Sequence, residues 1–199
     1  MTDPAHPSSR RMLIRLSLTC LVMSPVAAWT VYKPVRVLMP EWAGVSCVSE
    51  LICTDDTSRA AEAAALYDRA HAFVVASVGN IEAGPRVIFC ASRACFRSFG
   101  FERAAARTVG VSGIVLAPRG WRDHILRHEM IHHLQAERLG VIRQWRMPGW
   151  FSEGMAYAFS EDPRPDLGEP WQGHRRRFER WYLSVGRENL WAEARKLWP

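Results

Sequence analysis

No long polar or repetitive tract runs through this chain, which excludes both an intrinsically disordered protein and a solenoid. It also lacks Cys-x-x-Cys, so a four-thiolate zinc site is the weaker use of its cysteines. No nucleic-acid-binding module is present. The formal charge of +6 and pI near 9.4 permit contact with anionic surfaces, but the arginines are spread along the whole length and do not point to nucleic acid. What the chain does have is 48% hydrophobic residues and nine tryptophans, enough for a sizeable core. At 199 residues it is expected to fold as one domain, 33–199, behind a short N-terminal appendage, 1–32.

That appendage reads as an export signal. Arg10, Arg11 and Arg15 precede an apolar stretch from Leu16 to Ala28, broken only by Ser17, Thr19, Ser24 and Pro25. Val26-Ala27-Ala28 offers small residues for cleavage, yet apolar character continues through Trp29, Val31 and Tyr32. Met12 to Tyr32 is long enough for a bilayer core of about 30 Å if Arg15 snorkels, so an uncleaved signal-anchor helix is the expectation, with secretion after cleavage as the alternative. A buried N-terminal helix and lipidation at Cys20 are further readings. Positive charge before the segment puts the rest of the chain outside the cytoplasm, on the periplasmic or extracellular side.

Cys47, Cys53, Cys90 and Cys95 make an even number in the part expected to be exported, and four cysteines allow three pairings. The local pairs, Cys47 with Cys53 and Cys90 with Cys95, are the expected ones.

Val31 to Met39 reads as an extended segment, with Pro34 favouring an edge position. Thr54 to Ser58 supplies N-cap oxygens for a long alanine-rich helix over Ala60 to Val78, closed by Gly79-Asn80. Arg86 to Cys90 and Gly113 to Ala117 read as strands. A helix capped by Asp123 should stop at Gly140; others are expected over Phe151 to Ser160, Trp171 to Leu183 and Glu188 to Leu197. Arg175, Arg176, Arg177 and Arg180 alternate with Phe178, Trp181 and Tyr182, as on an amphipathic helix with aromatics inward; contact with phospholipid headgroups is the alternative. The class is α+β, with strands early and helices late.

The chemistry-bearing feature is His128-Glu129-Met130-Ile131-His132, an HExxH run whose accidental occurrence here has a chance of about one to two per cent. With about 100° per residue, and His128 at 0°, His132 falls at about 40° and Glu129 at about 100°; Leu126, Met130, Ile131 and Leu134 form an apolar back. Two imidazoles leave a catalytic zinc short of a protein ligand. Glu153, in Trp150-Phe151-Ser152-Glu153-Gly154, is the candidate third, because Pro148-Gly149 can turn a second helix back on the first and Gly154 removes a side chain that would obstruct close approach. Zinc there would acidify water toward a pKa of about 7, and Glu129 would take its proton and pass it to the departing amine. A structural ion, or metal-free pairing with carboxylates, is the blander use of the two histidines. Tyr157, one turn after Glu153, and His174, on the arginine-rich helix, are candidate oxyanion donors, weighed against core packing for the first and a surface position for the second. His124 and His133 suit supporting or structural roles, and His6 and His71 are not connected to the metal.

Over roughly Gly113 to Phe159 the chain resembles the gluzincin metallopeptidases, and looks most like the small peptidase-MA-like proteins carrying Trp-Phe-x-Glu-Gly. The resemblance implies a zincin-like domain in which a small sheet, the HExxH helix and a following third-ligand helix stand behind the N-terminal apolar helix. It implies Zn2+ on His128, His132 and Glu153, with Glu129 as base and a strand before the HExxH helix running beside the substrate. No Gly-x-Met-Glu-Asn stretch appears, so aminopeptidase activity is not implied. The expected function is hydrolysis of a peptide or protein substrate outside the cytoplasm, with membrane attachment through the N-terminal segment and no nucleic-acid partner. The alternative is a non-catalytic envelope protein that binds a partner through its basic, aromatic C-terminal helices.

Overall fold

The computed structural model describes residues 33–197; the expected export segment, with Cys20, and His6 lie outside that range. Along the chain come α1 (Lys33–Leu38), β1 (Ser46–Cys47), β2 (Ile52–Thr54), α2 (Ala60–Ser77), β3 (Val87–Phe89), α3 (Arg93–Ser98), β4 (Ala106–Thr108) and β5 (Ile114–Leu116). The helices α4 (Asp123–Leu139), α5 (Val141–Arg146), α6 (Gly149–Phe159), α7 (Trp171–Val185) and α8 (Leu190–Lys196) complete the α+β domain. Among the described residues, no helix is long and apolar enough to cross a membrane.

The five strands form one mixed sheet in the order β1-β2-β3-β5-β4. The inner three run parallel and the two outer ones antiparallel to their neighbours. Every residue of β2, β3 and β5 is buried, which is why the latter two read as continuous β-branched and aromatic runs rather than alternating ones. Successive side chains divide between two cores, as strand geometry requires. Ile52, Val87, Phe89, Ile114 and Leu116 face the large helical side with Leu66, Leu126, Met130, Phe151 and Phe178. Cys53, Ile88 and Val115 face a smaller cluster with Val37, Phe96 and Phe99.

Both disulfides belong to the smaller side: Cys47 is joined to Cys53 across the β1–β2 pair, and Cys90 after β3 to Cys95 on α3. The local pairing is the one that forms.

Several expectations change. Lys33–Leu38 is helical rather than extended: Val37 is fully buried, and the Arg86 guanidinium donates to the carbonyls of Val37 (3.5 Å) and Leu38 (2.9 Å), which a helix C-terminus leaves without partners. Tertiary contacts here override the extended reading, and Pro34 lies in the first turn, where a helix tolerates it. Asp123 is the first residue of α4 rather than its cap, and its carboxylate instead holds Arg69 of α2 at 3.0 Å. Gly140 does end α4, at φ +84°, but α5 follows at once.

On α7 the inward aromatic face is present. Phe178 is buried, and Trp181 and Tyr182 pack with it against Phe151 and Phe159 of α6. Arg176, Arg177 and Arg180 are on the outer side. Gly154 does permit a close approach, but of α7 and not α4: a Cβ there would fall on the carbonyl oxygen of His174 and 2.8 Å from the Cβ of Phe178. α4 itself packs against α2, α6 and the β4–β5 pair.

Candidate metal centre

The apolar back of α4 fixes which residues are left to face the site. Leu126, Met130, Ile131 and Leu134 are all fully buried in the helical core, so the opposite side of the helix turns His128, His132 and Glu129 toward α6 and β4. A cleft of about 730 Å3 opens there, and Glu153 and Tyr157 reach it from α6.

His128, His132 and Glu153 are brought together. Their ligand atoms lie within 4.8 Å of one another. The two Nε2 atoms are 3.1 Å apart, and the Glu153 oxygens lie 3.5 Å from Nε2 of His128 and 3.7 Å from Nε2 of His132. A tetrahedral ion with bonds of about 2.0–2.1 Å spaces its ligands by about 3.3–3.4 Å, and the three separations straddle that value. Two imidazoles and a carboxylate also make a donor set suited to a divalent transition ion. The group could therefore hold a metal.

Gln135 decides how His132 presents itself. Its amide nitrogen donates to the carbonyl oxygen of Ser152 at 2.9 Å, so its amide oxygen must be the atom 3.0 Å from Nδ1 of His132. Nδ1 then carries the proton that this oxygen accepts. In the neutral ring the lone pair consequently sits on Nε2, facing Glu153. Because Ser152 lies on α6, the same buried side chain ties the helix of the two histidines to the helix of the third donor.

In the metal-free site, burial disfavours charge on His132, but its hydrogen bond and attraction to Glu153 outweigh that and raise its pKa to about 9. Burial likewise disfavours charge on Glu153, and the two imidazoles overcome it, holding the carboxyl well below its ordinary range. These shifts favour a protonated imidazole beside an ionised carboxylate, so a cation binding here competes with a proton.

Glu129 is nine-tenths buried and does not join the three donors. The Thr108 hydroxyl lies 2.7 Å from its Oε2 and 2.8 Å from its backbone carbonyl oxygen, so β4 fixes the carboxylate at the cleft wall.

Tyr157 stacks edgewise on His128, with centroids 4.5 Å apart. Burial, aided by the charge of Glu153 and opposed by Arg164, raises its pKa, so the phenol stays protonated and can donate. His174 is placed elsewhere: its ring packs over Gly149, where a Cβ would come 2.9 Å from its Cε1, and it is not among the residues lining the cleft. α7 needs that space to lie close against α6, which turns the ring into the helix interface. His124 lines the cleft, and burial lowers its pKa, leaving it neutral at pH 7. His133 is structural, lying 3.0 Å from the Ala83 carbonyl and 3.2 Å from Glu137, whose carboxylate also accepts from the backbone of Glu82 and Ala83. His71 stacks on Tyr67, away from the site.

Sequence reasoning misses Thr108 and Gln135. Gln135 falls at about 340° on the helical wheel, a polar residue on the ligand face, which is a usable signal. Thr108 has none, since its role depends on the pairing of β4. No protein-family model, curated protein or solved structure matches the chain.

Proposed function

We propose that this chain is a zinc-dependent peptidase of gluzincin type acting outside the cytoplasm, with His128, His132 and Glu153 holding the ion and Glu129 serving as general base. The observation that carries this reading is the convergence of a carboxylate on α6 with two imidazoles on α4, beside a buried carboxylate that Thr108 keeps out of the donor set. When bound, zinc supplies a Lewis acid for the carbonyl of the bond to be cut.

The side chains do the rest. Glu129 accepts a proton from the attacking water and delivers it to the nitrogen as the carbon–nitrogen bond breaks. Tyr157, protonated at neutral pH, is the donor available to the oxyanion. Gln135 holds His132 in the tautomer that binding requires. Among the described residues no strand pairs with the edge of β4 away from β5, and that edge passes the base, so it offers a polypeptide a short row of backbone partners. Both disulfides agree with an oxidising compartment.

Metal content and hydrolysis of a mixed peptide substrate, measured side by side, test the reading. Glu129→Gln should keep its zinc and lose hydrolysis by about a thousandfold, the middle of the range for removal of a general base. Glu153→Ala should lose zinc as well. Hydrolysis surviving Glu129→Gln would defeat the assignment of the base, and unchanged zinc affinity in Glu153→Ala would defeat the donor set.

A further inference from the structure

A second cavity, of about 740 Å3, adjoins the metal cleft and shares Arg103, Ala104 and Arg119 with it. Arg93 and Arg97, one turn apart on α3, enter it from one side; Arg103 and Arg119 stand between it and the cleft. Four guanidinium groups thus meet a single lining carboxylate, Glu102. Among the described residues none of the four forms an ion pair, and Arg119 donates only to the backbone carbonyl of Arg103. Carboxylates are not scarce elsewhere: Arg59, Arg69, Arg127, Arg138, Arg164, Arg175 and Arg176 each hold one. Arg122 carries the unpaired charge on into the metal cleft.

All four arginines are solvent-exposed, and gathered on one concave wall they concentrate positive potential in the cavity, so an anionic group is the occupant that wall favours. The guanidinium fork matches carboxylate and phosphate oxygens alike. A single-stranded nucleic acid would also want exposed aromatic platforms, yet the one aromatic residue in the lining, Phe96, is only 2% exposed. A membrane surface would want protruding apolar side chains, and none of the exposed large hydrophobic residues lines this cavity. A polypeptide fits the remaining feature, because residues 103–108 lead from the arginines to Thr108 and Glu129 along a β4 edge that pairs with no strand among the described residues.

We infer that the arginine-walled cavity is a subsite for the carboxylate side chains of an acidic polypeptide segment whose scissile bond lies in the metal cleft. Cleavage of that segment rests on the peptidase reading, but its binding can be tested without turnover.

The zinc-loaded Glu129→Gln chain would be titrated with a fluorescent glutamate-rich peptide and with its counterpart carrying glutamine at every glutamate. The acidic peptide should bind at least about tenfold more tightly, the equivalent of one good charge-assisted contact, with a preference that shrinks as salt is raised. Adding Arg93→Gln and Arg97→Gln should remove most of the preference and leave zinc content unchanged. Equal binding of the two peptides would overturn the inference, as would a preference indifferent to both arginines. So would an oligonucleotide, or vesicles of phosphatidylglycerol, binding with greater affinity and the same arginine dependence. If the acidic peptide binds as expected while the unaltered chain cleaves nothing, the subsite stands and the peptidase reading falls. Cleavage without acidic preference has the reverse meaning: the peptidase reading stands and the subsite falls.

Discussion

The two faces of the sheet are built by different means. On the helical face, α2, α4, α6, α7 and α8 bury a broad apolar core, and this is where the candidate metal donors lie. On the other, among the described residues, α1, α3 and short turns cover Cys53, Ile88 and Val115, and both disulfides are found there. A thin layer removes too little apolar surface from water to offset the entropy of ordering it, so covalent links that restrict the unfolded chain are most useful on that side. The thick layer has no such need, and its rigidity comes from packing. Chemistry that requires donors held to fractions of an ångström therefore belongs with the packed face.

The sharpest way to break this contrast is Phe151→Ala. Phe151 is fully buried between Phe178 and Trp181 and lies two residues before Glu153. Its truncation should destabilise the metal-free protein by about 3–5 kcal/mol in urea titration, and zinc affinity should fall with it because α6 loses its seat. Affinity that survived the loss of stability would show that Glu153 is positioned independently of the core.

Next in size is a pH effect confined to the helical face. With His132 raised to about 9, the metal-free site is protonated at neutral pH, and a metal must displace that proton. Zinc affinity should therefore rise about tenfold per pH unit, or about a hundredfold from pH 6 to pH 8. The metal-free fold responds with the opposite sign: the stabilisation from charged His132 is complete below the ordinary value of 6.5 and is lost as pH rises through about 9. Calorimetry of zinc binding in buffers of different ionisation enthalpy should record proton release that is full at neutral pH and fades as pH rises through about 9; release independent of pH across that range would defeat the assignment to His132. The disulfide-bonded cysteines of the opposite face do not titrate, so they should add nothing to either slope.

The opposite face is tested by Cys90→Ser with Cys95→Ser. Opening so short a loop should lower stability by about 2 kcal/mol. Zinc affinity at fixed pH should not change, because both cysteines belong to the smaller cluster and neither lines the metal cleft. A large loss of zinc on removal of this disulfide would erase the distinction between the two faces.

The same contrast governs what can be read from the chain. Helix α4 announces itself because ligands and apolar back recur at helical spacing within one segment, and β3 and β5 because burial on both faces makes them continuous apolar runs. β1, β2 and β4 have two or three residues each, and nothing local marks them as strands; the partner across the ladder supplies that information. α1 reads as extended for the same reason, since Arg86, forty-eight residues away from Leu38, provides the donor that ends it. At the site, His128, Glu129 and His132 come from one motif, and Glu153 from a second close behind. Thr108 reaches Glu129 from the edge strand β4, twenty-one residues away in sequence and beyond any local pattern. Residue type alone draws His174 toward the chemistry, whereas the glycines of α6 let α7 approach so closely that the ring is taken up in packing.

The smallest effect, and the most discriminating, belongs to Gln135. It is fully buried, yet its amide makes both of its useful bonds to the two helices that carry the candidate donors, one to Nδ1 of His132 and one to the Ser152 carbonyl. Gln135→Leu keeps approximate volume while removing the acceptor that fixes the tautomer and the donor that satisfies the carbonyl. Zinc affinity should fall about tenfold, the lower end for partners of a metal-bound histidine, through faster dissociation rather than a changed donor set. Gln135→Glu separates the two functions: a carboxylate still accepts from Nδ1 but cannot donate to Ser152 when ionised. If tautomer control dominates, Glu should retain most of the affinity that Leu loses; if bridging the helices dominates, both should lose it alike. Full affinity in both variants, with the fold intact by circular dichroism, would place the precision of the site in the aromatic packing around Phe151, making the helical face a packed structure with no polar hinge pin of its own.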